Sequence, residues 1–168
     1  EIRWSTRLET NRGCPFSCTF CDWGSLTYAK VKKFPVEKVY QEIEWLGANK
    51  IQYIFMADAN FGIYPERDMA ITDYILDVQA RTSFPATVNA NWHKNAKQNV
   101  IEIVKKFISN GFNRGMTLSV QSMDEQVLDI IKRKNMDTSH LGAMMEILNK
   151  EGIGSYTELI LPLPGETT

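Results

Sequence analysis

Three cysteines, Cys14, Cys18 and Cys21, fall in the stretch Asn11-Arg12-Gly13-Cys14-Pro15-Phe16-Ser17-Cys18-Thr19-Phe20-Cys21-Asp22-Trp23-Gly24, and the 168-residue chain has no others. Three thiolates can hold three irons of a cubane [4Fe–4S] cluster, which ordinarily takes four protein ligands. One iron is then left without a protein ligand, open to a substrate or cofactor. The spacing reads as a site of chemistry rather than a scaffold.

Two plainer readings use the same residues. Three thiolates and one imidazole can hold a structural zinc. The only histidines, however, are His93 and His140, far along the chain in other expected elements. A disulfide would leave one thiol over, and the first residues show no charged-then-apolar leader. Reduced cysteines at metal spacing fit a reducing, cytosolic setting.

The elements that must position these residues follow from composition and periodicity. With 43% apolar residues the chain can build one ordinary globular core. No apolar run reaches the roughly 18 residues of a membrane-spanning helix, so no membrane partner is expected. A net charge of −1 with no basic stripe gives no footprint for nucleic acid. Lys30, Lys32 and Lys33 read as a solvated loop.

Strand and helix signals alternate. Strands are expected at 2–9, 51–57, 86–91, 116–121 and 156–161. Helices are expected at 36–48, 66–82, 97–110, 124–133 and 138–151. The 36–48 helix carries Val36, Val39, Tyr40, Ile43 and Leu46 on one face, and Asp124 is a plausible N-cap for the helix that follows it. Met144 and Met145 read as core filler. Five strands with intervening helices predict a parallel sheet, since parallel neighbours need crossover connections. Chemistry in such sheets sits at the carboxyl ends of the strands, and the cysteine loop follows the first strand. The chain opens at Glu1 directly on strand-like sequence and stops at Pro164-Gly165-Glu166-Thr167-Thr168, so it is expected to be a fragment of a longer protein.

The C-x3-C-x2-C spacing after a strand resembles the radical S-adenosylmethionine (SAM) superfamily, and the resemblance extends over nearly the whole chain. It implies an α/β fold, a partial TIM-like (β/α)6 barrel with parallel strands. About five βα units fall within residues 1–168, a single radical SAM core domain; an upstream domain and the sixth unit would lie outside. It also implies that Cys14, Cys18 and Cys21 are at once the metal ligands and the catalytic set.

The remaining site residues come from the same resemblance. Phe20 stands where the family has an aromatic residue whose backbone meets the SAM adenine. Asp58, in Ala57-Asp58-Ala59-Asn60-Phe61-Gly62, occupies the place of a segment that receives the SAM amino group, although the usual glycines are missing; its carboxylate or a backbone carbonyl would accept, and capping of the next turn is its other reading. Ser119 and Gln121 share one face of a strand and match the positions that bind the ribose hydroxyls. Arg133 offers a fork suited to the SAM carboxylate. Leu161 and Leu163, in the Leu-Pro-Leu-Pro-Gly-Glu-Thr run, match an apolar loop that packs on adenine, with Pro162 where relatives often have glycine. Asn89 and Asn91 alternate toward the barrel mouth; His93 reads as structural, with proton transfer as its other reading; and Trp23 and Trp92 read as aromatic core, with lining of a substrate or corrin face as their other reading.

The implied activity is [4Fe–4S]-dependent reductive cleavage of SAM to a 5′-deoxyadenosyl radical that activates an unreactive C–H bond of a small-molecule substrate. The electron would come from an external one-electron reductant. The combination of the cysteine motif, Ala-Asp-Ala-Asn-Phe-Gly and the Leu-Pro-Gly-Glu-Thr loop looks most like the subgroup with an N-terminal cobalamin-binding domain. That subgroup implies cobalamin, held by a domain upstream of Glu1, and methyl transfer as one outcome. The alternative of a different class is a non-catalytic iron–sulfur module for electron transfer or sensing, which would need neither Gln121 nor Arg133.

Overall fold

The computed structural model describes residues 3–112 and 115–166. The expected strand start at Ile2 and the end of the loop at Thr167 lie outside the described residues. Two layers build the molecule: a parallel β layer and helices that cover its outer face.

The first strand, β1 (Ser5–Leu8), is followed by a two-residue strand β2 (Asn11–Arg12), the cysteine loop, a single-turn helix α1 (Asp22–Ser25) and a second short strand β3 (Lys32–Lys33). β2 and β3 pair antiparallel, Asn11 opposite Lys33 and Arg12 opposite Lys32. This ribbon closes the cysteine loop at its base. Neither β2, β3 nor α1 was expected; elements this short carry no periodic signal. Lys32 and Lys33 are exposed as expected, with the Lys33 ammonium 4.6 Å above the Tyr64 ring.

α2 (Val36–Ala48), β4 (Tyr53–Phe61), α3 (Pro65–Thr82), β5 (Thr87–Trp92), α4 (Gln98–Ser109), β6 (Gly115–Gln121), α5 (Glu125–Ile130), α6 (Thr138–Lys150) and β7 (Gly154–Leu159) complete the described order. α2 matches its expected span residue for residue. Val39, Ile43 and Leu46 are buried along it, each burial contributing roughly 1.5–3 kcal/mol. Tyr40 stacks on Tyr74 of α3 with centroids 4.0 Å apart. The Asp124 side chain caps α5, accepting from Gln126 N and Val127 N. α5 is shorter than expected, because Lys132 turns to a left-handed φ of 52° just beyond it.

The described ladders are β1–β4–β5 and β6–β7, all parallel. Ser5 pairs with Tyr53, Tyr53 with Thr87, and Gly115 with Gly154. The parallel strands are as expected; among the described residues no ladder joins β5 to β6. Val88 N donates to Phe112 O at 3.3 Å, which seats the entry to β6 beside β5. The core between sheet and helices includes Ile43, Ile54, Ile71, Ile75 and Phe107, all fully buried. Met144 and Leu148 of α6 join it, and Met145 is exposed, so the core reading holds for Met144 alone. Among the described residues, no helix is long and apolar enough to cross a membrane.

Candidate active site

Residues along β4, β5, β6 and β7, from Tyr53, Gly115 and Gly154 at their amino ends to Asn60, Trp92, Gln121 and Glu158 near their carboxyl ends, line a cleft of about 750 Å³, and the cysteine loop forms one wall of it. Cys14, Cys18 and Cys21 all line this cleft. Cys18 is buried, and Cys14 and Cys21 are half-buried. All three are free thiols, which sets the disulfide reading aside.

The loop is held at several points. Thr19 N donates to Ile131 O (2.9 Å), tying it to the end of α5, and Ala29 N donates to Gly24 O (2.7 Å). Two glycines permit close approaches. Gly13 has φ +103°, and a Cβ there would meet Lys30 O at 2.1 Å; at Gly24 a Cβ would meet Phe16 O at 1.9 Å. Gly24→Ala is therefore expected to push α1 away from the loop and destabilise the fold by roughly 1–3 kcal/mol. A lowered urea midpoint for the metal-free protein checks this.

Asp58 anchors the base of the loop. Its Oδ1 accepts from Thr10 N (2.6 Å) and Asn11 N (3.1 Å), and its Oδ2 accepts from Asn11 Nδ2 (2.8 Å) and the Thr10 hydroxyl. Arg67 reinforces the same corner, donating to Thr10 O (2.8 Å) and Phe34 O (3.0 Å). Asp58 is fully buried and does not line the cleft. The carboxylate is thus committed to the base of the loop rather than to the cleft, while the other expected acceptor, a backbone carbonyl of this segment, is not engaged by these bonds. β4 runs on through Phe61, and Asp58 shares the parity of Ile54 and Met56, the buried outer face. Burial pushes the Asp58 carboxyl up to about 6 against the pull of its hydrogen bonds to Thr10 and Asn11.

Asn60 shares that parity, but the register of β4 against β5 shifts between Met56 and Phe61. Asn60 lines the cleft, and its Nδ2 donates to Cys14 Sγ at 3.2 Å. Two cations flank Cys18. Lys94 Nζ lies 3.9 Å from Cys18 Sγ and 3.7 Å above the Phe16 ring. Arg133 Nη1 lies 4.0 Å from the same sulfur. Burial pulls both cations below their ordinary values, and the neighbouring Cys18 thiolate opposes it. Arg133 is oriented by Asn135 Oδ1, which accepts from its Nε at 2.8 Å, and by Ser119 O, which accepts from its Nη2. Asn135 is held in turn by Val120 O (2.8 Å) and Ser122 O (2.9 Å).

Of the remaining expected site residues, Phe20, Ser119, Gln121 and Arg133 line the cleft with the cysteines. Gln121 sits at a left-handed φ of 70° and ends β6. Leu161 and Leu163 do not line the cleft. Leu161 is 77% exposed, and Leu163 packs beneath α5 on Val127 and Ile131. The strand before them ends at Leu159, and the chain turns toward α5. Asn89 and Asn91 line the cleft as expected. His93 Nδ1 accepts from Asn95 N at 2.9 Å, and its ring meets Phe16 edge-on; burial lowers its basicity. Trp92 belongs to an aromatic stack with Phe61 and Phe107. Trp23 is 41% exposed and faces the cleft, which corrects its reading as core.

Asn60, Lys94 and Asn135 escaped the sequence reading. Asn60 was visible only as part of a run taken as loop, and Lys94 and Asn135 lie beyond element ends, where periodicity says nothing. Among the described residues, no three Cys, His, Asp or Glu side chains converge on a single-ion site. A cuboidal cluster asks for something else, one thiolate per iron on three separate irons.

Comparison with known proteins agrees with this geometry. The radical SAM superfamily profile matches residues 8–168. The chain is 41% identical over 167 residues to a 2-(S-pantetheinyl)-carbapenam-3-carboxylate methyltransferase of Streptantibioticus cattleyicolor, covering 99% of this chain and 24% of that protein. It is 41% identical over 166 residues to the cobalamin-dependent radical SAM methyltransferase TokK of Streptomyces tokunonensis, again covering 99% and 24%. The chain thus spans about a quarter of the length of these curated relatives. In fold it is similar to the radical SAM methyltransferase TsrM of Kitasatospora setae, with a TM-score of 0.73 at 15% identity, covering 98% of this chain and 31% of that one. A three-cysteine loop at the carboxyl rim of parallel strands, a cleft shared with Arg133 and Gln121, and a profile match over nearly its whole length place the chain in the radical SAM superfamily.

Proposed function

We propose that this chain is the SAM-cleaving core of a cobalamin-dependent radical SAM methyltransferase acting on a small molecule. The observation that carries the reading is the convergence of Cys14, Cys18 and Cys21 with Arg133, Ser119 and Gln121 on one cleft. The donor set fits a [4Fe–4S] cluster: three free thiols from one loop, backed by an amide and two cations that offset thiolate charge. Cobalamin is supported by the two relatives at 41% identity, one of them named for that dependence.

When bound, the cluster and SAM supply one-electron cleavage of a carbon–sulfur bond, chemistry that no side chain here can perform. The chain's own residues bind and orient. Cys14, Cys18 and Cys21 would hold the cluster through three thiolates and leave one iron without a protein ligand. Arg133, fixed by Asn135 and the Ser119 carbonyl, presents its free edge to the SAM carboxylate as a preoriented fork. Ser119 and Gln121 offer polar groups to the ribose, and the backbone at Phe20 meets the adenine. Asn89, Asn91 and Thr117 line the same cleft and face the substrate.

The test is anaerobic incubation of the full-length protein with SAM and a strong one-electron reductant. The reading expects 5′-deoxyadenosine and methionine to form in the loaded protein, and cobalamin to be needed for methylated product. An intact cluster that yields neither SAM fragment would overturn it. An electron-transfer module would behave that way.

A further inference from the structure

We infer that Lys94 and Asn60 set the reduction potential of the cluster held by Cys14, Cys18 and Cys21, an inference that rests on the radical SAM reading. The two residues form one connected device. Asn60 Oδ1 accepts from Lys94 N at 3.4 Å, while Asn60 Nδ2 donates to Cys14 Sγ at 3.2 Å. From the same point, the Lys94 side chain carries its ammonium to 3.9 Å from Cys18 Sγ. Two of the three cluster sulfurs are thereby contacted from the ends of β4 and β5, one by an amide and one by a cation.

The ammonium is fixed rather than free. The Phe16 ring lies 3.7 Å beneath it, and Phe16 is itself held edge-on by His93, centroids 5.9 Å apart. A cation over an aromatic face gains electrostatically from the ring, so Lys94 has a reason to stay beside Cys18 instead of extending into solvent. Arg133 is placed differently. Its Nε and Nη2 are committed to Asn135 and the Ser119 carbonyl, and its Nη1 lies 4.0 Å from Cys18 Sγ with no aromatic ring holding it there. Lys94 meets the sulfur on one side and the ring on the other.

The electron count shows what such a charge does. Three thiolates on a [4Fe–4S]2+ core carry a net charge of −1; one electron from the external reductant makes it −2, and no bond forms or breaks. A fixed positive charge near one sulfur favours the more negative state, and a hydrogen bond to another acts in the same direction. At about 4 Å in a half-buried cleft the effect is large enough to change the equilibrium for reduction by roughly tenfold. For a one-electron couple that is about 59 mV. Cluster reduction gates everything that follows, so the pair would act as the electron gate of this chain.

The experiment is an anaerobic redox titration, followed by electron paramagnetic resonance, of the full-length protein and its Lys94→Met, Lys94→Gln, Lys94→Arg and Asn60→Leu variants. Lys94→Met and Lys94→Gln are expected to shift the midpoint to more negative potential, by about 59 mV for the tenfold loss. Lys94→Arg is expected to stay close to wild type, and Asn60→Leu to shift in the same direction by less. A neutral Lys94 variant with full iron and an unchanged midpoint would overturn the inference. Loss of the cluster from both neutral variants with retention in Lys94→Arg would support it, because methionine keeps the apolar stem and removes only the charge. Loss from all three would count against it, since the charge would then not be what matters. A wild-type protein that assembles no [4Fe–4S] cluster would instead refute the radical SAM reading itself.

Discussion

Single replacement of Cys14, Cys18 or Cys21 by alanine is expected to reduce SAM cleavage to the uncatalysed background, because a two-thiolate set cannot hold the cluster that supplies the chemistry. The three variants should differ in the metal-free fold. Cys21 is half-buried and its alanine removes little packing. Cys18 is buried, and Lys94 Nζ and Arg133 Nη1 both approach its sulfur. Without it, both cations lose the sulfur they approach and a buried side chain's packing is lost with it. Cys18→Ala should therefore unfold at a lower urea concentration than Cys21→Ala, while both lose activity equally. Iron content, SAM cleavage and denaturation midpoints of the three variants read this out. Retained cleavage in any of them would contradict the assignment of the ligand set.

Asp58 is the second position with a large expected effect, and its effect falls on the fold that presents the loop. Asp58→Ala leaves Thr10 N, Asn11 N, Asn11 Nδ2 and the Thr10 hydroxyl without their acceptor at a fully buried corner. An unsatisfied buried donor costs roughly 1–3 kcal/mol, and four sharing one acceptor should cost at least about 3 kcal/mol together. In a chain of this size that lowers Tm by about 6–12 °C.

The same carboxylate gives a pH signature with a definite sign. Its value is raised from 3.8 to about 6, chiefly by burial, with the charge of Asp68 adding to the rise. The fold thus holds the proton more tightly than the unfolded chain does. The corresponding stability is fully present below about 3.8 and lost as pH rises through about 6, with no further change above. Between pH 7.5 and pH 5 the wild type should gain roughly 1–1.5 kcal/mol from this group. Asp68, also raised by burial, acts in the same direction. The quantity to measure is therefore the difference in urea midpoint shift between wild type and Asp58→Asn, which lacks the Asp58 part. An identical pH profile in the two proteins would contradict the assignment.

Asp58 also shows where sequence reasoning reached its limit. Its position after an apolar strand marked it for the rim, but the strand continues to Phe61 and parity turns the side chain outward, onto the β1–β2 corner. Parity could be counted only once the strand's true end was known. The long elements were legible: α2 matched residue for residue, and the Asp124 cap formed as read. Their stripes and caps are local signals. The candidate ligand set was legible for the same reason, being three side chains on one continuous loop.

What stayed hidden depends on contacts between distant segments. Lys94 is 76 residues from Cys18, and Asn60 is 46 from Cys14. No periodicity announces that two strand ends will place an ammonium and an amide on two sulfurs of one loop. The loop carrying Leu161 and Leu163 was marked by its resemblance to the family's Leu-Pro-Gly-Glu-Thr run, whereas the seat of Leu163 against Val127 and Ile131 depends on packing between distant segments.

The central claim, an iron open to SAM beside Cys14, Cys18 and Cys21, is tested most directly by electron paramagnetic resonance. The protein would be reconstituted anaerobically with iron and sulfide, reduced, and measured with and without SAM. The account predicts a [4Fe–4S]+ signal that changes when SAM is added and that is absent from each cysteine variant. Stoichiometric zinc in place of the cluster, or a cluster signal indifferent to SAM in the full-length protein, would contradict it.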